Sequence, residues 1–355
     1  MDILNYMEKY GHEHLSVCSD KDTGLQAFIA IHDTTLGPTL GGVRIWPHKT
    51  EDEAIFDVLR LSRAMTYKSS AAGVDFGGGK GLILADPRTD KTKDLMKSFG
   101  QFVESLGGQY ITTEDVGTSL QDLEYISEVT THVRGLPLSQ GGSGETSEMT
   151  GWGVYQGLKA CAKEVWGNDS LSGKTIAFQG FGHTATFLAN HLLEKEENVK
   201  FIVTDINKEA VEKAKELTGA KIVGSDEIYG IECDIFSPSA LGGVLNNRTI
   251  PQLKCTIVCG SANNQLLNDQ NAKNLQDNEI LYAPDYIVNA GGVINISCEM
   301  NGSYNEHIAI EKTSQIYATM QKVIAISKKQ GVTTAKAADQ LAEERIERAK
   351  NTIRG

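Results

Sequence analysis

The sequence predicts an α/β protein of two domains, and three observations carry that prediction. From residue 150 onward, strand-type and helix-type segments alternate strictly, the pattern of βαβ units in a doubly wound parallel sheet. Before residue 145 the same two types occur without that rhythm, which makes the first part a mixed α/β domain. With 355 residues, the chain can build two substantial cores. The expected boundaries are 1–145, with C-terminal helices 331–355 packing back on it, and 146–330.

In the first domain, "LQAFIAIHDTTLG" contains a strand and "TEDEAIFDVLRLSRAMTYKSS" a helix. Thr50 and Glu53 have capping-box spacing, and Ile55, Val58, Leu59, Ser62 and Met65 fall on one stripe. "GLILADP" reads as a second strand closed by Pro87, followed by a helix near 90–106 and a strand at "YITTED". In the second domain, "GVYQGLKACAKEVW", "TATFLANHLLEK" and "KEAVEKAKELTG" are helical. The strands between and after them are "KTIAFQGFG", "VKFIVTDIN", "KIVG", "CDIFSPS", "CTIVCG" and "EILYAPD". Two amphipathic helices, "TSQIYATMQKVIAISKKQG" and "TAKAADQLAEERIERAKN", close the chain, and no repeat or low-complexity tract occurs.

Composition narrows the function classes. Apolar residues make up 40% and charged residues 23%, ordinary for a globular protein. The net charge of −12 argues against general affinity for nucleic acid or an anionic membrane. No apolar run reaches bilayer-spanning length, and "MDILNYMEKYGHEHL" lacks the basic-then-apolar order of a secretory signal, so a cytoplasmic location is expected. The six cysteines form no CxxC pair and no zinc-type spacing with histidine, so no metal is expected. They read as buried reduced thiols, with Cys255 and Cys259 of "CTIVCG" on one face of a strand.

"VDFGGGKGLIL", residues 74–84, poses the first chemical question. A phosphate-binding loop needs Ser or Thr after its lysine and a strand before its glycines. Here Gly81 follows Lys80 and the apolar run follows the glycines, so that reading fails. What remains is a lysine among glycines at the mouth of a strand. A solvated surface turn is the plain reading of it. Lys68, twelve residues earlier at the end of a helix, favours another. Two ammonium groups near one pocket depress each other's pKa, leaving one to bind an anion and one near neutrality.

"TIAFQGFGHTATFLANHL" runs from a strand through Gly180, Gly182 and Ala185 into a helix. This is the dinucleotide fingerprint, with alanine in its third position. The first glycine makes the turn, the second lets backbone approach a pyrophosphate, and the helix N-terminus supplies positive potential. Asp205 ends the next strand 25 residues after Gly180, where an acid accepts ribose hydroxyls. A carboxylate there repels a 2′-phosphate, so NAD is expected over NADP, on a Rossmann-type domain. His183, beside the turn, reads as a solvent-side residue.

These stretches, with "AIHDTTLGPTLGGVRIW", "RAMTYKSSAAG", "GGGKGLIL", "YITTEDVGT", "VTDINKEAV", "ANNQL" and "APDYIVNAGGVIN", identify a resemblance. The chain resembles the leucine/phenylalanine/valine dehydrogenase family, nearest its leucine-acting members, over essentially its full length. The resemblance implies NAD-dependent oxidative deamination of an L-amino acid to a 2-oxo acid and ammonia. It also implies a first domain for substrate and oligomerisation, a dimer or octamer, and an active site in the cleft between domains.

Residue by residue, Lys68 matches the lysine that holds the substrate carboxylate, and Lys80 the catalytic lysine that activates water attacking the imine. Asp115 matches the carboxylate exchanging protons with the amine; without the resemblance it would read as a helix cap. Gly41 would offer its backbone to the substrate carboxylate. Asn263 and Asn264 match the pair at the junction of substrate and nicotinamide. Beyond Gly180, Gly182 and Asp205, the cofactor contacts implied are Phe181, His183, Thr184 and Ile206. Ser147, Thr150, Ala240 and Asn264 complete them. The side-chain pocket reads Leu40, Thr113, Val293 and Ile296, sized for leucine, valine or isoleucine.

Two departures stand out. Relatives carry prolines around the serine of the interdomain segment, where "GETSEMT" has Thr146 and Glu148. Loss of two φ-fixed residues is expected to loosen the hinge, and Glu148 adds a negative charge. Arg134 stands where relatives are small or neutral. Pointing inward, it would favour a polar or acidic substrate; exposed, it has no such consequence. The altered hinge also fits a dinucleotide-binding regulator with weakened catalysis.

Overall fold

The computed structural model describes residues 2–299 and 304–354. It divides into two units, Met1–Glu145 with Ile296–Asn305 and Ala342–Gly355, and Thr146–Asn295 with Glu306–Leu341. Of the C-terminal stretch expected to return to the first domain, 331–341 belongs to the second unit, and the change of unit falls inside the last helix.

The first unit runs α1 (Ile3–Tyr10), β1 (His14–Asp20), β2 (Leu25–Asp33), β3 (Thr39–Ile45), α2 (Glu51–Ala71), β4 (Gly77–Ile83), α3 (Lys93–Ser105), β5 (Tyr110–Glu114) and α4 (Leu120–Ser127). Its sheet has the order β1-β2-β4-β3-β5, antiparallel from β1 to β4 and parallel from β4 to β5. Thr50 starts α2 by accepting the Glu53 N–H at 3.2 Å. The Glu53 carboxylate reaches back one residue further than a capping box would, to the Lys49 N–H. On the predicted stripe, Ile55, Val58, Leu59 and Ser62 are buried and Met65 half-buried. Val58 and Leu59 cover Phe28, Ala30 and Leu82 of the sheet. The opposite sheet face packs Ile29, Val43 and Tyr110 against Met96, Phe99 and Val103 of α3.

The glycine stretch departs from expectation. Gly77–Gly79 and Lys80 are not a loop at the mouth of a strand; they are the first residues of β4, buried between β2 and β3. The glycines lack side chains because neighbouring backbone and rings occupy the space. A Cβ on Gly78 would lie 2.2 Å from the Thr66 nitrogen of α2, and one on Gly81 2.7 Å from Phe99.

The second unit runs α5 (Ser147–Trp166), β6 (Thr175–Gln179), α6 (His183–Lys195), β7 (Lys200–Thr204), α7 (Lys208–Thr218), β8 (Lys221–Ile222), β9 (Ile235–Pro238), β10 (Ile257–Val258), α8 (Asp269–Asp277) and β11 (Leu281–Tyr282). It continues through α9 (Asp285–Val288), α10 (Gly291–Ser297), α11 (Glu306–Ser314) and α12 (Ile316–Gln330) into α13 (Thr334–Arg354), the last two helices of the chain. The sheet order β11-β10-β9-β6-β7-β8 is parallel throughout, the doubly wound order whose direction reverses between β6 and β9. Ligands of such sheets bind outside the strand ends at that reversal.

None of the six cysteines is in a disulfide. Cys18, Cys161 and Cys259 are buried, the other three half-buried. Cys255 and Cys259 do not share a packing environment. The strand between them is only Ile257–Val258, too short to carry the alternation, so Cys259 lies under Val154 of α5 while Cys255 joins the cluster around Val258 and Phe236. Among the described residues, no helix is long and apolar enough to cross a membrane, and no cluster of histidine, cysteine and carboxylate residues could hold a metal.

Candidate active site

Strand alternation assembles the chemistry of the first unit. Leu40 pairs with Gly78 across β3 and β4, and Gly42 pairs with Thr113 across β3 and β5. Since side chains alternate, Leu40, Arg44, Lys80, Thr113 and Asp115 all project to the face that α2 covers. Gly42 is bare because a Cβ there would lie 2.7 Å from the Asp115 Cβ. Its absence lets Asp115 lean across β3.

Asp115 Oδ2 therefore lies 2.7 Å from Lys80 Nζ and 3.0 Å from Arg44 Nε. Lys80 is only 5% exposed. Burial pushes its pKa down from the ordinary lysine value, and the Asp115 carboxylate offsets only part of that. For Asp115 the balance runs the other way. Burial raises its pKa, but Lys80 and Arg44 together outweigh burial and hold it below the ordinary carboxylate value. An ionised acid beside a lysine that sheds its proton easily can pass protons in both directions. Lys68 lies in the last turn of α2, half-buried, two residues beyond the Thr66 that packs on Gly78. Gly41 lends its carbonyl to the Tyr110 hydroxyl at 2.7 Å.

The glycine turn of the second unit has the form a dinucleotide requires. Gly180 adopts φ +95°, and a Cβ on it would lie 2.7 Å from the Ala240 Cβ, so the turn closes against the end of β9. A Cβ on Gly182 would meet nothing within 4 Å, so its open side faces away from protein. His183, exposed, and Thr184 begin α6, while Ala185 is buried beneath it. Asp205 accepts the Phe181 N–H at 2.7 Å on Oδ2 and the Asn207 N–H at 2.8 Å on Oδ1. Beside it Ile206 is 93% exposed, an apolar side chain standing in solvent. Bare backbone and a helix N-terminus at the sheet reversal, with a fixed acid at the end of the neighbouring β7, fit a pyrophosphate and ribose.

One family model, described as Glu/Leu/Phe/Val dehydrogenase, dimerisation domain, matches residues 12–132. A second, described as Glutamate/Leucine/Phenylalanine/Valine dehydrogenase, matches 141–207 and 200–354. The chain belongs to this dehydrogenase family. It is 52% identical to a leucine dehydrogenase of Geobacillus stearothermophilus over 98% of this chain and 94% of that protein. It is 47% identical to a phenylalanine dehydrogenase of Caldalkalibacillus thermarum, over 98% of this chain and 95% of that protein. Among solved structures, an L-tryptophan dehydrogenase from Nostoc punctiforme superposes with a TM-score of 0.84 at 42% identity, covering 98% of this chain and 99% of that one.

In this dehydrogenase the asparagine pair is held by residues the sequence reading passed over. Asn263 Oδ1 accepts from the buried Asn289 at 2.9 Å, and the adjacent Gln265 N–H donates to Asp285 at 3.0 Å. Asn264, at φ +52°, gives its carbonyl to the Gly243 N–H. Asn289 and Asp285 lie in "APDYIVNAGG", a stretch used for the resemblance without roles for its polar residues.

The "GETSEMT" residues start α5: Thr146 is its N-cap at φ −91°, and Ser147 and the exposed Glu148 begin the first turn. Thr150 bonds back to the Thr146 carbonyl, and both threonines pack on Gly292 of α10. A carboxylate at 148 is favourable there, since first-turn acids complement the helix dipole. Val293 and Ile296 are buried in α10, Leu40 in β3 and Thr113 in β5. Thr113 is overlaid by Gly135, whose missing Cβ would lie 2.9 Å from its hydroxyl. The loop bearing Gly135 is clamped by Glu299, which accepts the N–H groups of Gly135 and Ser143, a contact invisible over such sequence distance. Arg134 donates to the carbonyls of Thr131 and Val133, turning back on its own loop.

Proposed function

We infer that this dehydrogenase carries out reversible, NAD-dependent oxidative deamination of a branched-chain L-amino acid, leucine, valine or isoleucine. The products are the 2-oxo acid, ammonia and NADH. The observation that carries this reading is the buried contact of Lys80 with Asp115, 2.7 Å long, with Lys80 driven toward its neutral form. The 52% identity to a leucine dehydrogenase, over 98% of this chain, supports the substrate class.

Bound NAD would supply the two-electron acceptor, held at Gly180, Gly182 and Asp205. The protein's own residues then have separate tasks. Lys68 holds the substrate carboxylate as an ammonium. Lys80 takes a proton from the water that attacks the imine carbon. Asp115 exchanges a proton with the departing amine. The half-buried carboxylate of Asp205, fixed after β7, supports NAD over NADP, since it repels a 2′-phosphate. The dimerisation description over 12–132 and the edge strand β1, with Val17 70% exposed, support a homo-oligomer built through the first unit, as a dimer or octamer. Composition supports a cytoplasmic location.

NADH absorbance across the twenty amino acids, with NAD and then NADP, tests the reading. The branched-chain substrates are expected to be fastest, and NAD the better cofactor. One methylene separates the aliphatic candidates, worth only ~1–3 kcal/mol, so their mutual order is left to the assay. A clear preference for phenylalanine or glutamate would overturn the assignment. The bonds of Arg134 to the Thr131 and Val133 carbonyls of its own loop favour the branched-chain reading over a polar substrate.

A further inference from the structure

Arg44 reaches two carboxylates at once. Its Nε lies 3.0 Å from Asp115 and its Nη1 3.0 Å from Asp57, which is itself buried in α2. Asp57 is held from its other side by Arg60 at 3.0 Å and has His48 at 3.4 Å. The guanidinium is thus clamped at both ends, and its planar fork is the side-chain shape that can span two acids.

The consequence follows from counting charges. Lys80 and Arg44 meet the same oxygen of Asp115. Arginine does not deprotonate in proteins. Asp115 is therefore neutralised by Arg44 whether or not Lys80 carries a proton, and of two cations crowded on one carboxylate only the lysine can yield. Without Arg44, Lys80 would be the sole buried counterion of Asp115 and would be held as an ammonium. The charged groups facing Lys80 from the packed elements are Asp115 at the end of β5, Arg44 from β3 and Asp57 from α2. Of these three Arg44 is the cation; Lys68, half-buried in the last turn of the same α2, is a further ammonium and stays unchanged in all the proteins compared.

We propose that Arg44 is a positioning residue: it keeps Asp115 anionic on its own account, so that Lys80 is free to act as the base. The proposal rests on the dehydrogenase reading above for its catalytic consequence, though not for its electrostatics. Asp57 holds only the Nη1 end of Arg44, whose Nε is held by Asp115, and the negative charge of Asp57 acts on Lys80 with the opposite sign.

The test follows Lys80 directly. Trace acetic anhydride labels neutral amines, and peptide mass spectrometry of the full-length protein reads the Lys80 labelling midpoint against pH. Wild type, Arg44→Gln and Asp57→Asn are compared, with circular dichroism as a check on folding. Removing a like charge raises the midpoint in Arg44→Gln by ~1–3 units. Removing an opposite charge lowers it in Asp57→Asn. The rising limb of kcat/KM for leucine should move in the same two directions. A merely structural role would shift both variants alike or neither, and either result overturns the proposal. Should Arg44→Gln fail to fold, a midpoint in Asp57→Asn that is unchanged or raised overturns it as well. If no L-amino acid is turned over while the midpoints move in opposite directions, the functional reading fails and the charge role of Arg44 stands.

Discussion

Gly78 of β4 lies directly against Thr66 of α2, where a Cβ would come within 2.2 Å of the threonine nitrogen and 2.3 Å of the Ser62 carbonyl. Both are helix backbone, which cannot swing away as a side-chain tip would. Gly78→Ala should therefore push α2 off the sheet and cost at least the ~1–3 kcal/mol typical of overpacking. Activity should fall with it, because α2 also carries Lys68 and Asp57. Gly230→Ala, where an added Cβ meets nothing within 4 Å, is the matched control. Urea denaturation of the two variants should separate them clearly; equal stabilities would refute the close approach.

Lys80→Ala should abolish turnover without loss of dinucleotide binding, since the lysine belongs to one unit and the glycine turn to the other. Asp115 keeps Arg44 as its counterion in this variant, so the site retains a paired carboxylate. General acid–base groups contribute ~10²–10⁴-fold, which sets the expected loss in kcat. Calorimetry of NAD binding and absorbance kinetics read the two quantities. More than a tenth of wild-type kcat remaining would remove Lys80 from its role.

Asp205 has two tasks that one substitution separates. Asp205→Ser removes the charge that repels a 2′-phosphate, so the preference for NAD over NADP should fall. It also replaces the two charged oxygens that accept the Phe181 and Asn207 N–H groups with one neutral hydroxyl. Hydrogen bonds to charged groups are worth ~1.5–3 kcal/mol each, so Tm should drop even without cofactor. A wild type that uses both cofactors equally would show that Asp205 is not the ribose ligand.

His32 predicts the acid limit of stability. It is buried between the Thr66 hydroxyl at 2.8 Å and the Tyr10 carbonyl at 2.9 Å. Its pKa is lowered to about 4, chiefly by burial, with the Tyr10 carbonyl pulling the other way and the His12 ring beside it adding to the fall. The unfolded chain takes up the proton near 6.5 and the folded protein only near 4, so stability is full above 6.5 and is lost as pH falls between those values. At 1.36 kcal/mol per unit the loss amounts to roughly 3 kcal/mol. His32→Gln keeps a donor and an acceptor but does not titrate. Urea midpoints at pH 7.5 and 4.5 should fall further in wild type than in the variant; equal falls would assign the acid sensitivity elsewhere.

The doubly wound order and the dinucleotide turn were legible along the chain because both rest on local patterns. Alternating segments leave few topologies for a parallel sheet, and the spacing from Gly180 to Asp205 reports one βαβ unit. Lys80 and Asp115 were legible through resemblance, and the stripe of α2 through its period. The state of "GGGK" was not. Glycines carry no burial signal of their own, and whether they are bare for a ligand or for a neighbouring helix depends on what packs there; here it is Thr66, Tyr110 and Phe99. Arg44 left a weaker trace, since its parity with Leu40 along β3 already points it to the covered face. Its partners lie 13 and 71 residues away, and no spacing rule joins them. Pairing across such distances is set by strand register and by the helix laid over the sheet, so the charge on Lys80 is a property of the packed fold and not of the segment that contains it.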